Sequence, residues 1–276
     1  MKARYPFFDF YLNSSIHIAL AVLCLQGVTY LYLNTTLDKE VLLFTFFATI
    51  TGYNFIKYAG VAKWHHRSLT RSLRAIQLFS LVCFLGMCFY GWQLSFATIK
   101  ILGLLGLLTV LYALPIFSKR RSLRSLKGLK IYTIAMVWAG VSVVIPAVEA
   151  GLLLDTSIWV LVIQRFIYVV IITIPFEIRD LKYDSAELGT LPQLIGVRFT
   201  KILGIVLVVV FFAIACIRQQ GDSYLSIWTS GLLGMLLLWI IRNTKERQSK
   251  YFAAFWVEGI SIVWLVIILV LQLFSF

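Results

Sequence analysis

Charged side chains are scarce in this chain of 276 residues: Asp, Glu, Lys and Arg make up 13% of it, whereas a soluble domain carries about a quarter. Hydrophobic residues make up 61%, and the mean hydropathy is +0.90. A chain with so few polar groups cannot cover its own surface in water, which excludes a soluble globular protein. We therefore expect lipid to be its solvent.

Cysteine is also rare, and the four cysteines stand apart. No CxxC pair and no Cys/His cluster is present, so neither a disulfide framework nor a sulfur-ligated metal site is expected. We interpret them as small apolar residues of the bilayer; they are Cys24, Cys83, Cys88 and Cys216.

Acidic residues are outnumbered by basic ones, 12 against 25, which gives a net charge of +13. The basic residues stand between apolar runs and have no soluble surface on which to form a groove, so no nucleic-acid partner is predicted. Orientation in the membrane and contact with anionic lipid head groups explain them better. Membrane lipids are the expected neighbours, and no protein partner is implied.

Nine apolar runs are long enough to cross a bilayer. Because lipid cannot satisfy the backbone of an exposed strand, each run must be helical. The sequence therefore predicts an all-α membrane protein, a bundle of about nine transmembrane helices that forms a single domain over residues 1–276. The runs are 13–33, 40–60, 74–92, 96–116, 129–149, 157–176, 199–217, 224–241 and 252–274.

The basic residues fall in alternate connections between these runs, and 21 of the 25 lie on the same side. Positively charged loops remain in the cytoplasm, so the N-terminus is predicted inside and the C-terminus outside. We expect a multi-pass protein of a bacterial-type inner (plasma) membrane.

The segment 175–192, after the sixth run, is the most informative. Its acidic residues have the spacing i, i+3 and i+7, which places them on one face if the helix continues; they are Glu177, Asp180 and Asp184. Mg²⁺ prefers one or two carboxylates together with phosphate oxygens. Arg179 and Lys182 alternate with the acids and could bind a diphosphate. A solvated loop whose charges pair with one another is the other interpretation of this spacing.

The same segment carries a resemblance to a known family. Residues 178–184 (Ile-Arg-Asp-Leu-Lys-Tyr-Asp) and the turn 189–192 (Gly-Thr-Leu-Pro) resemble the second aspartate motif of the UbiA superfamily of membrane prenyltransferases, with a tighter Gly-to-Thr spacing. Residues 112–115 (Tyr-Ala-Leu-Pro), the basic run to Lys130, and Trp138 with Pro146 resemble the family's helix 4, basic loop and helix 5. The resemblance covers approximately residues 10–275.

This resemblance implies a transferase of alkyl or aryl groups other than methyl, acting at the cytoplasmic face. It would move an isoprenoid chain from its diphosphate to a lipophilic acceptor, such as a quinone precursor or another aromatic compound. The implied ligands of Mg²⁺ are Asp180, Asp184 and Glu177. The implied diphosphate contacts are Arg179, Lys182, Tyr112, Arg121 and Lys130.

The family's first motif, Asn-Asp-x-x-Asp-x-x-x-Asp at the end of helix 2, is degenerate in this chain. Asn54 is retained, but the three acidic positions are Phe55, Tyr58 and Ala62. Lys57 could contact a phosphate directly and replace the charge of one metal ion.

Two outcomes follow from this departure. Either the site works with one Mg²⁺ ion, or the chain is a catalytically inactive member that binds or moves an isoprenoid lipid. For the active case, the resemblance assigns the catalytic set to Asp180, Asp184, Asn54 and Lys57.

Two ionisable residues, Arg165 and Glu258, lie inside apolar runs. Charges at membrane depth usually face the bundle interior and pair, so we expect these two to form an ion pair. A polar path of a small-solute transporter is the weaker alternative, because no pair of broken helices in matched halves is visible. His17, in the first run, is expected to be a hydrogen-bonded residue of the bundle.

Overall fold

The computed structural model describes residues 6–64, 71–114, 128–184, 188–217, 223–249 and 251–274. Within these ranges the regular structure is helical, without a strand. Eight helical segments in them are long and apolar enough to cross a membrane. The prediction of an all-α, multi-pass membrane protein is therefore confirmed.

The helices follow one another with short connections. In chain order they are α1 (Pro6–Asn13), α2 (Ile16–Leu33), α3 (Lys39–Trp64), α4 (Arg71–Gly91), α5 (Phe96–Ala113), α6 (Leu129–Ala139), α7 (Ile145–Glu149), α8 (Thr156–Asp180), α9 (Leu191–Ile217), α10 (Ser223–Asn243) and α11 (Ile260–Phe274). A π-helical segment, Gly140–Val144, joins α6 to α7 in one span, and another, Phe252–Val257, precedes α11.

These helices account for the predicted runs. The eight segments of sufficient hydropathy leave out α3, which has 26 residues and, at about 1.5 Å per residue, is long enough to span. Its second half carries polar side chains that lower its hydropathy, among them Asn54 and Lys57. With α3, the described part of the chain matches the nine predicted runs.

The first predicted span starts later than expected. Ser15 has a left-handed backbone (φ 66°), which separates the eight-residue α1 from α2. The predicted hydrogen bonding of His17 is confirmed, since its Nδ1 lies 2.8 Å from the Tyr11 hydroxyl and its Nε2 lies 2.9 Å from the Phe255 carbonyl oxygen. His17 therefore holds α1 and the segment before α11 against the start of α2.

The centre of the bundle is aromatic. Trp264 on α11 is fully buried, and its ring centroid lies 5.0 Å from that of Tyr168 on α8 and 5.6 Å from that of Phe211 on α9. The Tyr168 hydroxyl also lies 2.9 Å from the Ser261 hydroxyl of α11. These contacts fix α8 in the middle of the structure and so fix the position of its C-terminal end.

Gly204 on α9 lies where three helices pack closely together. A Cβ atom at this position would lie 3.0 Å from Ile174 on α8 and 3.0 Å from Ile241 on α10. In lipid, no hydrophobic effect drives helices together, so their association depends on close van der Waals packing. Small residues at the contacts make that close packing possible.

We predict that Gly204→Val lowers the thermal stability of the purified protein, because overpacking at a tight contact costs about 1–3 kcal/mol. The matched control is Gly103→Val on α5, where a new Cβ atom meets nothing within 4 Å. Thermal unfolding of both variants in the same detergent checks the prediction, and equal midpoints would contradict the packing described above.

Candidate functional site

α8 carries two of the three predicted acidic residues to one end of the bundle. The helix is capped by Asp155, whose side chain accepts a hydrogen bond from the Ile158 amide at 3.0 Å. Pro175 lies inside the helix and does not end it, since α8 continues to Asp180. Glu177, nearly fully buried, and Asp180 are thus both helical.

Asp184 lies beyond the end of α8, in a turn. Its amide donates to the Asp180 carbonyl oxygen at 2.9 Å. Gln193 then ties the following segment to it, because Gln193 Oε1 accepts from the Thr190 amide at 3.0 Å and Nε2 donates to the Asp184 carbonyl oxygen at 3.3 Å. The three acids share one end of the bundle, but not the face of one continuing helix that their spacing predicted.

Lys130, near the start of α6, joins two of these acids. Its Nζ atom lies 3.0 Å from Glu177 Oε1 and 3.1 Å from Asp184 Oδ2. The three side chains are only 13%, 2% and 12% exposed, respectively. One ammonium group therefore bridges two carboxylates that burial would otherwise leave uncompensated.

The third acid has its own cation. Arg179 binds Asp180 in a bidentate pair, with Nε 2.7 Å from Oδ1 and Nη2 3.0 Å from Oδ2. The Arg179 guanidinium also lies 5.1 Å from the ring centroid of Phe176. Lys182 is exposed, and its Nζ lies 4.7 Å from the ring of Tyr183.

Asn54 on α3 forms a buried hydrogen-bond network. Its Oδ1 accepts from the Ser15 hydroxyl at 2.8 Å, and its Nδ2 donates to the Ser14 carbonyl oxygen at 3.0 Å and to the Ser80 hydroxyl oxygen at 2.8 Å. These bonds join α3 to the α1–α2 junction and to α4. Asn54 thus has a structural role that its resemblance to the first motif does not reveal.

Lys57 lies one turn further along α3. Its Nζ donates to the Ser15 hydroxyl oxygen at 2.9 Å. Lys57 and Arg179 both lie close enough for their charges to act on the carboxylate of Glu258, just before α11. This grouping across three elements was not predicted, although an acidic residue inside an apolar run is the signal that pointed to Glu258.

The expected Arg165–Glu258 ion pair is wrong. Arg165 Nη2 donates to the Thr29 hydroxyl oxygen at 3.2 Å, and the guanidinium lies 4.7 Å from the Trp264 ring. The physical reason is depth: Arg165 precedes Arg179 by 14 residues on α8, or about 21 Å at 1.5 Å per residue. Glu258 lies at the level of Arg179.

Aromatic side chains lie beside this group of charges. Trp138 Nε1 on α6 donates to the Tyr53 hydroxyl oxygen on α3 at 2.8 Å. The Tyr53 hydroxyl is within electrostatic reach of Glu258 and of Tyr112 on α5, whose side chain is buried. Three helices, α3, α5 and α6, thus supply aromatic side chains that carry a few hydroxyl groups.

The carboxylates do not fit a metal ion in this arrangement. In the described part of the chain, no three His, Cys, Asp or Glu side chains converge as metal ligands would. The Lys130 ammonium lies between Glu177 and Asp184, and Arg179 forms a bidentate ion pair with Asp180. The Mg²⁺ site stays a prediction.

One predicted diphosphate contact, Arg121, falls outside the described residues. The other basic residues of the loop before α6 fall outside them as well. Those residues are Lys119, Arg120, Arg124 and Lys127.

No family model matches the sequence, and a search of curated proteins finds no match either. The structure does match solved structures over nearly its whole length. A UbiA homologue from Archaeoglobus fulgidus bound to GPP and Mg²⁺ is 12% identical, with a TM-score of 0.64 over 95% of this chain and 98% of that one.

Two further structures agree with this match. The apo structure of a UbiA homologue from Aeropyrum pernix K1 is 14% identical, with a TM-score of 0.65 over 94% of this chain and 98% of that one. A digeranylgeranylglyceryl phosphate synthase is 13% identical, with a TM-score of 0.56 over 96% of each chain. The chain therefore has a UbiA-like fold, which confirms the resemblance at the level of the fold.

We predict that Asn54→Ala lowers the free energy of unfolding, because it leaves buried partners without their hydrogen bonds at a cost of about 1–3 kcal/mol. Asn243→Ala is the control, since Asn243 is exposed and donates to the Trp239 carbonyl oxygen of its own helix at 2.8 Å. Chemical unfolding in mixed micelles measures both. Equal stability of the two variants would contradict a structural role for Asn54.

Proposed function

We propose that this chain is a membrane prenyltransferase that binds an isoprenoid diphosphate at the C-terminal end of α8 and transfers its chain to a lipophilic acceptor. One observation carries the proposal. The segment that resembles the second aspartate motif lies at the end of α8, among cations from three elements, in a fold shared with a homologue that was bound to GPP.

The cations account for binding of the leaving group. Lys130 on α6, Arg179 on α8 and Lys57 on α3 lie at the same end of the bundle, on three different helices. In the proposed reaction the bond between the allylic carbon and the diphosphate oxygen breaks, and the electron pair leaves with the diphosphate. Fixed cations stabilise the negative charge that builds up on that oxygen.

The aromatic wall accounts for the other half of the reaction. The allylic carbon becomes electron-poor as the diphosphate leaves, and the faces of Tyr53 and Trp138 can stabilise positive charge. The acceptor then attacks that carbon and forms the new bond. Because the surrounding helices are apolar, both the isoprenoid tail and a lipophilic acceptor can reach the site from the bilayer.

The location of the site follows from the charge pattern of the sequence. The basic loops flank the same ends of the spans as the acidic segment, so we propose that the active end faces the cytoplasm of a bacterial-type inner membrane.

The second candidate function is binding of an isoprenoid lipid without catalysis. Two side chains on α3 favour it, because Phe55 and Tyr58 stand where the family pattern has carboxylates. Asn54, the residue of that motif that is retained, is used in packing. The transporter alternative stays untested; Arg165 and Glu258, which suggested it, lie at different depths.

The proposed function predicts release of diphosphate by the protein in nanodiscs supplied with geranylgeranyl diphosphate and a panel of aromatic and quinone-precursor acceptors. Asp180→Asn frees Arg179 from its bidentate partner, and we expect at least about a tenfold loss of rate, the equivalent of 1.4 kcal/mol. Product formation measured by mass spectrometry identifies the acceptor.

The control for this experiment is Arg242→Gln, an exposed basic residue at the end of α10, which should keep the full rate. Saturable binding without any turnover would favour the non-catalytic candidate. Full activity of Asp180→Asn would show that the charged side chains at the end of α8 take no part in the reaction. The absence of both binding and turnover would overturn both candidates.

A further inference from the structure

The carboxylates at the end of α8 hold cations of the chain itself. Lys130 fills the point between Glu177 and Asp184, with Nζ at 3.0 and 3.1 Å from their oxygens. The contact with Asp184 is a charge-assisted hydrogen bond, and the contact with Glu177 is an ion pair. Mg²⁺ would need oxygens at about 2.1 Å from that point and would meet the ammonium there.

The described side chains of α3 at the first-motif positions supply no carboxylate that could bind Mg²⁺ instead. On α3, two of the family's acidic positions are occupied by Phe55 and Tyr58, and the charged residue between them is Lys57. The chain thus has a cation beside each of the two segments in which the fold family's metal ligands are expected.

Lys130 and Arg179 have N–H donors that the carboxylates do not use, and these donors are available to a phosphate. An ammonium has three N–H donors; Lys130 donates one of them to Asp184 Oδ2, and its ion pair with Glu177 Oε1 occupies another side of the group. A guanidinium has five, of which Arg179 uses two on Asp180. Within the described residues, one donor of Lys130 and three of Arg179 therefore remain for phosphate oxygens.

We infer that the acidic residues at the end of α8 are positioning residues for Lys130 and Arg179, and that these cations bind the diphosphate without a divalent metal ion. The inference rests on the proposed function and specifies the charge that its site uses. The carboxylates keep the two cations fixed before the ligand arrives, so little ordering is needed on binding.

The first test uses the wild-type protein alone. In nanodiscs, titration with Mn²⁺, a paramagnetic substitute for Mg²⁺, should show no stoichiometric site by electron paramagnetic resonance. Geranyl diphosphate should bind in EDTA with an affinity within about threefold of that in Mg²⁺, less than 1 kcal/mol. A stoichiometric Mn²⁺ site that is lost in Glu177→Gln would overturn the inference.

The second test exchanges the cations. In Lys130→Met the two carboxylates are left to each other, so a Mn²⁺ site should appear, and binding of geranyl diphosphate in EDTA should weaken by about tenfold. The matched control is Lys201→Met on α9, an accessible lysine that donates to the Arg242 carbonyl oxygen at 3.2 Å. It should leave both measurements unchanged. If Lys130→Met does not fold, the wild-type measurements still decide the matter.

The outcomes separate this inference from the proposed function. Binding of geranyl diphosphate only in the presence of Mg²⁺ would overturn metal-independent binding and leave the prenyltransferase standing. Absence of binding with and without Mg²⁺ would overturn the proposed function, and the inference with it. Equal binding in both conditions, without a Mn²⁺ site, supports both.

Discussion

A lysine ammonium held between two carboxylates fixes the geometry of the candidate site. Lys130 brings α6 to the end of α8 and to the turn after it, over a separation of 47 residues to Glu177 and 54 to Asp184. Because all three groups are mostly buried, removing Lys130 leaves two uncompensated carboxylates, at a cost of about 3–5 kcal/mol. These ion pairs therefore hold α6 against the end of α8 and also determine the distribution of charge at this end of the bundle.

The other contacts of the bundle position the helices that surround Lys130, Glu177 and Asp184. The aromatic contacts of Trp264 hold α8 in the centre, and Gly204 lets α9 and α10 pack against it. On the other side, Asn54 binds α3 to its neighbours and so sets the height at which Lys57 stands. Apolar packing places the helices, buried hydrogen bonds fix their register, and the charges at the end of α8 are then available for a ligand.

The sequence was sufficient to predict the features that the bilayer requires, such as the spans. It was not sufficient to predict features that depend on contacts between distant residues. The spans were found because membrane thickness and backbone hydrogen bonding allow few alternatives. The acidic segment was found from its spacing, but the partner of Glu177 and Asp184 was not, since Lys130 lies far away in the sequence. The break at Ser15 and the use of Asn54 depend on helix contacts that no local pattern reveals. The error at Arg165 and Glu258 arose because the positions of charges along an apolar run were not converted into depth.

The most direct test of this account is a structure of the protein in nanodiscs with geranyl diphosphate bound, prepared once in EDTA and once in Mg²⁺. The account predicts density for the diphosphate within hydrogen-bond distance of Lys130 Nζ and the Arg179 guanidinium in both preparations, with the apolar tail against Tyr53 and Trp138. Density for the diphosphate elsewhere on the protein, or none in either preparation, would contradict it.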